Sequence, residues 1–254
     1  MLSLETHDLT IRFGGHVAVN AVSCAFRPGE LTAIVGPNGA GKTTYFNLIS
    51  GQLRPSAGRI VLSGRDITAL SAPLRTRAGL GRAFQLTNLF PNLTVAENVR
   101  LAVQAKSGSH YDVLRPWMAR RDLIARADAI LADVALSGRR DAIAAALSHG
   151  DQRKLEVALM MALEPDVFMF DEPTAGMSVD EVPVVLDLIA RLKQDAGKII
   201  LLVEHKMDVV RSLADRIIVL HNGRLVADGT PAEVIASPVV QEAYLGIAPG
   251  KSAA

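Results

Sequence analysis

The residues of this 254-residue chain best suited to chemistry run together as Gly36-Pro37-Asn38-Gly39-Ala40-Gly41-Lys42-Thr43. They fit G-x-x-x-x-G-K-[ST], the spacing of a phosphate-binding loop. Glycines at 36, 39 and 41 let the backbone curl into a concave nest of N–H donors around a β-phosphate. A helix opening near Lys42 brings its positive dipole end to the same place. The Lys42 ammonium reaches β- and γ-phosphate oxygens as a point charge, and the Thr43 hydroxyl can ligate Mg²⁺.

Further groups complement that loop. Asp171 and Glu172 follow the apolar run Val167-Phe168-Met169-Phe170. A strand that apolar cannot hold charges in its middle, so the acids fall at its C-terminal end, where open α/β sheets bind ligands. There Asp171 suits the outer coordination sphere of Mg²⁺ and Glu172 suits polarising an attacking water. His205 follows the strand-like Ile199 to Glu204 and can donate to a γ-phosphate. Phe13 ends an early strand pattern; it either stacks on an adenine ring or is a core aromatic at a strand end. Leu147-Ser148-His149-Gly150-Asp151-Gln152 precedes a helical pattern of Leu155, Ala158, Leu159 and Ala162. Ser148 reads there as an N-cap, or, with the Gly150 N–H and the helix dipole, as a second phosphate cradle. One triphosphate does not need two cradles, so a second makes sense if it closes on the nucleotide of another copy.

The elements that must position these groups follow from periodicity. Residues 2–13 and 17–26 read as strands joined at Gly14-Gly15. Leu31 to Val35 is a buried strand feeding the loop, and a helix runs from near Lys42 through Ser50. Strands follow at Arg59 to Leu62 and at 79–85, the second ending in Gln85. Thr94-Val95-Ala96-Glu97 is a capping box opening a helix with Val99, Ala102 and Val103 on one side. Residues 107–121, with the lone Trp117, are irregular. Leu123, Ala127, Ile130, Leu131 and Val134 then recur at helical spacing. Residues 88–160 therefore read as a helical subdomain inserted in a chain that elsewhere alternates strand and helix. An amphipathic helix over 181–196, a strand from Lys198 to Val203, a helix from about 206, a strand from Arg216 to Leu220 and a turn at Asn222-Gly223 complete it. Residues 247–254 read as a flexible tail.

Composition narrows the classes. Hydrophobic residues are 49% and charged residues 21%, ordinary for a globular protein with a sizeable core. A formal net charge of +1 provides no global field for nucleic acid, so none is expected as a partner. No apolar run is long enough for a bilayer, no signal-peptide pattern opens the chain, and a lone Cys24, read as a core residue, fits a reducing compartment. A cytosolic location is expected.

Taken in order, these features resemble the ATP-binding cassette subunits of ABC transporters over nearly the whole chain. The Walker A is Gly36 to Thr43, the Q-loop residue Gln85, the Walker B Val167 to Glu172 and the switch histidine His205. Phe13 falls where the family's adenine-stacking aromatic lies. The resemblance implies an α/β fold: a P-loop NTPase (RecA-like) core with an antiparallel β subdomain and an inserted helical subdomain, all within one domain spanning 1–254. It implies ATP and Mg²⁺ as cofactors. The nucleotide would be held by Phe13, Gly36, Pro37, Asn38, Gly39, Ala40, Gly41, Lys42, Thr43 and Thr44. The metal would be held by Thr43, Gln85 and Asp171, and catalysis carried by Glu172, His205, Lys42 and Gln85. Ser148, His149, Gly150 and Asp151 would contact the ATP of a second cassette, identical or homologous.

Two positions depart from the family pattern. The signature LSGGQ is LSHGD, with His149 for the first glycine and Asp151 for the glutamine, and the usual D-loop aspartate is Ser178. Three local patterns, Arg12-Phe13-Gly14-Gly15, the AGM run after the Walker B and Gln241 to Gly246, resemble the Liv-type ATPases of branched-chain amino acid importers. Amide or urea importer ATPases and cassette ATPases outside transport are the alternatives. The resemblance further implies transmembrane permease subunits as partners, an indirect solute-binding protein, and a place on the cytoplasmic face of the inner or plasma membrane. Leu86 to Leu93 is the expected dock for the permease.

Overall fold

Alternating side chains at the start of the chain make two antiparallel strands, β1 (Leu4–Phe13) and β2 (His16–Phe26), which pair with Phe13 opposite His16. Gly14 turns the chain between them at φ 59°. β4 (Ala57–Leu62) joins the other side of β1, and β5 (Arg65–Asp66) pairs with β4, giving the order β2-β1-β4-β5. This computed structural model describes residues 1–83, 89–107, 120–238 and 240–241.

A second sheet has the order β10-β9-β3-β8-β7-β6, with β3 (Leu31–Val35), β6 (Leu80–Ala83), β7 (Val167–Asp171), β8 (Ile199–Val203), β9 (Arg216–His221) and β10 (Arg224–Gly229). Every residue of β3, β7 and β8 is buried. Near-continuous apolar strands are what a parallel sheet covered on both faces requires, and β3 does run parallel to β8 and β9, and β7 to β8. Ile34 stands level with Val203, and Val203 with Asp171. The C-terminal ends of these strands therefore reach one sheet edge together. Helices α1 (Lys42–Ser50), α7 (Met207–Leu213) and α8 (Pro231–Ala236) follow strands of this sheet. Phe26, Tyr45, Phe46, Ile60, Met169 and Leu201 belong to one apolar cluster fed by both sheets. Cys24 is buried in it, as its type suggests, and burial pushes its thiol up to about 11.

One element of this unit has no apolar periodicity to announce it. α2 (Ala72–Arg77) is anchored by Arg75, whose side chain is only 1% exposed. Its guanidinium donates to the carbonyls of Leu48 (2.6 Å), Ile49 (2.7 Å), Thr68 (2.8 Å) and Leu70 (3.0 Å). Burial lowers its pKa to about 10.

Contacts divide the chain into two units. Met1–Leu80, Asp166–Glu172 and the chain from Lys193 form the first, and Gly81–Pro165 with Pro173–Leu192 form the second. The second contains α3 (Val95–Lys106), α4 (Arg121–Asp133), α5 (His149–Leu163) and nearly all of α6 (Val182–Lys193). α3 opens on the expected capping box: Glu97 N donates to Thr94 Oγ1 (3.1 Å) and Thr94 N to Glu97 Oε2 (2.8 Å). Those bonds hold the Glu97 carboxyl below its ordinary value. α3, α4 and α5 pack on one another, burying Val99, Val103, Leu123, Ile130 and Leu155. Gln85, Trp117 with most of the segment expected to be irregular, and the tail 247–254 lie outside the described residues.

Candidate active site

The loop after β3 is shaped by two backbone crossings. Gly36 has φ 151°, and a Cβ there would overlap the carbonyl oxygen of Leu220 in β9. Gly41 has φ 97°, and a Cβ there would overlap the carbonyl oxygen of Ala18. Gly223 N donates to Ala40 O (3.0 Å), and Asn20 N to Gly223 O (2.8 Å), so neighbouring strands hold the loop from outside. Asn38 and Gly39 form its exposed crest, Pro37 is half-buried and Ala40 is buried.

α1 starts at Lys42 with Gly41 as N-cap, no side-chain cap and no acid in its first turn. Its first N–H groups are therefore left for an outside acceptor, with the dipole favouring an anion. Lys42 is only 8% exposed. Its Nζ donates to Gly36 O (2.6 Å) and Pro37 O (3.1 Å), leaving its third N–H for a further acceptor. Burial lowers its pKa while Glu172 and Asp171 pull it the other way. The Thr43 side chain is exposed and Thr44 half-buried beside it.

Register delivers the acids to the same edge. Asp171 is the last residue of β7 and is 7% exposed. Glu172 follows at φ 51°, fixed by its N–H donating to Val203 O (2.9 Å). That bend turns its carboxylate out of the strand, where His205 Nδ1 lies 3.6 Å from Oε1. His205 Nδ1 is also 3.7 Å from Glu204 Oε2. Glu204 is fully buried, and its Oε2 accepts from the His205 N–H (2.8 Å) and the Lys206 N–H (3.3 Å). It sets the backbone that carries the histidine, a role its sequence position alone does not signal. Phe13, at the tip of its hairpin, is 50% exposed, a free face and not a core aromatic.

The helical unit holds the residues expected to form the second cradle. Ser148 caps α5, its Oγ accepting the Asp151 N–H (3.1 Å). Asp151 stands in the first turn, and Lys154 Nζ is 2.9 Å from its Oδ1. Ser148 and His149 are exposed, while Gly150 is buried. The carboxylate of Glu181 covers it, lying where a Cβ on Gly150 would have to go.

Comparison with known proteins decides what this arrangement belongs to. The profile described as "ABC transporter" matches residues 19–175. The chain belongs to the ABC transporter family. A second profile, "Branched-chain amino acid ATP-binding cassette transporter", matches residues 224–248. The high-affinity branched-chain amino acid transport ATP-binding protein LivG of Salmonella typhimurium is 40% identical over 248 residues, covering 96% of this chain and 97% of LivG. The crystal structure of the ADP conformation of MJ1267, an ATP-binding cassette of an ABC transporter, superposes with a TM-score of 0.81 at 28% identity, over 97% of this chain and 100% of that one. A dimeric post-hydrolysis structure of the cassette MJ0796 with ADP and Pi gives 0.77 at 25% identity, over 90% and 98%.

This cassette is an ABC-type ATPase with the P-loop NTPase fold, built for a nucleotide. Its departures from the family pattern have local explanations. Asp151, where the signature has glutamine, suits the positive end of α5 and is paired by Lys154. Ser178, in place of the D-loop aspartate, pairs with the acid three residues on. Its N–H (3.2 Å) and its hydroxyl (3.0 Å) both donate to Glu181 Oε2. Ser178-x-x-Glu181 has the capping-box form of Thr94-x-x-Glu97, so the pattern could have been read from the sequence. The helical unit also contains a cavity of about 390 Å³ lined by Arg82, Ala83, Phe90, Leu101, Met160 and Leu163. Of the segment expected to dock a permease, 86–88 lie outside the described residues, and Phe90 lines this cavity.

Proposed function

We propose that this cassette binds and hydrolyses ATP to drive an importer of branched-chain amino acids. The 224–248 match and the identity to LivG support that solute class over an amide or urea importer. The observation that carries the mechanism is the register that brings Lys42, Asp171, Glu172 and His205 to one sheet edge.

Phe13 stacks on the adenine, and the backbone of Gly36 to Thr44 with Lys42 holds the phosphates. Glu172 polarises the attacking water, and His205, with Nδ1 turned toward Glu172, offers its other ring nitrogen to the γ-phosphate. Asp171 and the Thr43 hydroxyl, with Gln85, are the hard oxygen donors that suit Mg²⁺. No group of three or more His, Cys, Asp or Glu residues suited to a metal exists among the described residues. Mg²⁺ is commonly held by one or two side chains and completed by phosphate oxygens and water. When bound, Mg²⁺ neutralises charge building on the phosphates.

Ser148, His149, Gly150 and Asp151 complete the site of a second cassette, a reading that the MJ0796 dimer supports. Transmembrane permease subunits dock at the cavity beside Phe90, and a solute-binding protein acts through them. In this reading the permease holds the cassette at the cytoplasmic face; among the described residues no helix is long and apolar enough to cross a membrane. The helical unit, in this reading, is the subdomain that moves with the permease.

Glu172→Gln tests the chemistry. Turnover should fall on the order of 10²–10⁴-fold while nucleotide binding persists, with ATP-bound pairs of cassettes accumulating. Hydrolysis at the unmodified rate would remove Glu172 from the reaction.

A further inference from the structure

β8 runs on into an acid that packing alone gives no reason to keep. Every residue of Ile199–Val203 is buried, and Glu204, the next one, is fully buried too. Withdrawing a carboxylate from water is costly unless its oxygens find donors, and an apolar residue would continue the strand without that cost. Glu204 Oε2 accepts from the His205 N–H at 2.8 Å and the Lys206 N–H at 3.3 Å, so the link from β8 to α7 is tied to this side chain. The same oxygen lies 3.7 Å from His205 Nδ1, a nitrogen that Glu172 Oε1 approaches to 3.6 Å. One ring nitrogen therefore stands between two acids.

The two acids are not equivalent. The Glu172 side chain is 41% exposed and that of Glu204 1%. Water screens the first and leaves it room to turn, whereas the second is fixed by its backbone donors in a place where charge is screened little. Resting on the roles given above to Glu172 and His205, we propose that Glu204 is a positioning residue for hydrolysis. It holds the Nδ1 side of the imidazole, so that the other nitrogen faces outward whether or not Glu172 is engaged. A base that swings toward water lets go of the histidine, and Glu204 keeps the ring from following it. Glu172 thus serves the water and Glu204 the ring. Buried as it is, Glu204 acts through His205 alone.

Glu204→Gln keeps an oxygen for the two N–H groups and removes the charge beside the ring. In steady-state hydrolysis by the full chain it should lower kcat about fivefold, the order expected for one charge-assisted contact. KM for ATP should not move, because the phosphates are held elsewhere. In a His205→Ala background, read with enzyme in excess over labelled ATP, Glu204→Gln should change the residual rate no further; a merely structural role would persist there. The ring supplies a readout apart from turnover. In the full chain with ¹⁵N-labelled histidine at alkaline pH, the His205 signal, assigned by its loss in His205→Ala, should report the hydrogen on Nδ1. Glu172→Gln should leave that tautomer dominant and Glu204→Gln should reduce it. An unchanged kcat with Glu204→Gln, a loss that persists without the imidazole, or a tautomer that follows Glu172 instead overturns the role of Glu204 and leaves the reading of Glu172 and His205 standing. Hydrolysis at the unmodified rate by His205→Ala removes both.

Discussion

Two helices of this cassette start at the places proposed above for phosphate, and they start differently. α1 opens on Gly41, with no side chain capping it and no acid in its first turn. α5 opens on Ser148, whose hydroxyl accepts the Asp151 N–H, with Asp151 in the first turn and Glu181 lying over Gly150. The same physics, unpaired N–H groups at the positive end of a helix, is left open in one case and answered internally in the other. An open terminus takes its ligand without giving anything up. A satisfied one exchanges partners, so its occupation is selective.

Substitutions at the two termini can break or sharpen that contrast. The largest effect is expected at the open one. Lys42→Ala removes a charged donor aimed at the phosphates and should weaken nucleotide binding by about 2 kcal/mol, roughly thirtyfold. Isothermal titration with the isolated chain measures this, and an unchanged affinity would mean that α1 is not the phosphate end. Ser148→Ala at the satisfied terminus should instead cost about 1 kcal/mol of stability as a lost cap. Chemical denaturation reads that loss, and single-chain nucleotide affinity should not move; if it does, the two termini are not independent. The smallest change is expected for Asp151→Asn, about 0.5 kcal/mol from the helix dipole and the Lys154 pair, fading with added salt. A salt-independent loss there would show that Asp151 acts through a specific bond and not through the field.

Much of the open site could be read from the chain alone, because each part is a local pattern. Gly36 to Thr43 sits between a five-residue apolar strand and a helix, and Asp171 and Glu172 could only stand at the end of so apolar a strand. Strand boundaries were also legible where every position is buried, as in Leu31–Val35 and Ile199–Val203. What escaped depends on contacts distant in sequence. α2 exists because Arg75 reaches carbonyls 26 and 27 residues away, which no periodicity encodes. β5 is two residues long, too short for alternation to register. Glu204 gives no sign in the sequence that it is fully buried under the backbone of His205. Ser178 drew attention as a missing aspartate, which hid its own partnership with Glu181.

The guanidinium of Arg75 reaches further than the turn it closes. By gathering the carbonyls of Leu48 and Ile49, it sets a cation on the negative end of the helix whose positive end is the proposed phosphate site. That helix is thus anchored at its rear before any nucleotide arrives, and little ordering is left for the ligand to impose. Amide hydrogens at the far end of α1 should accordingly be among the slowest in the chain to exchange with or without nucleotide, while those beside Lys42 slow only when phosphate is bound.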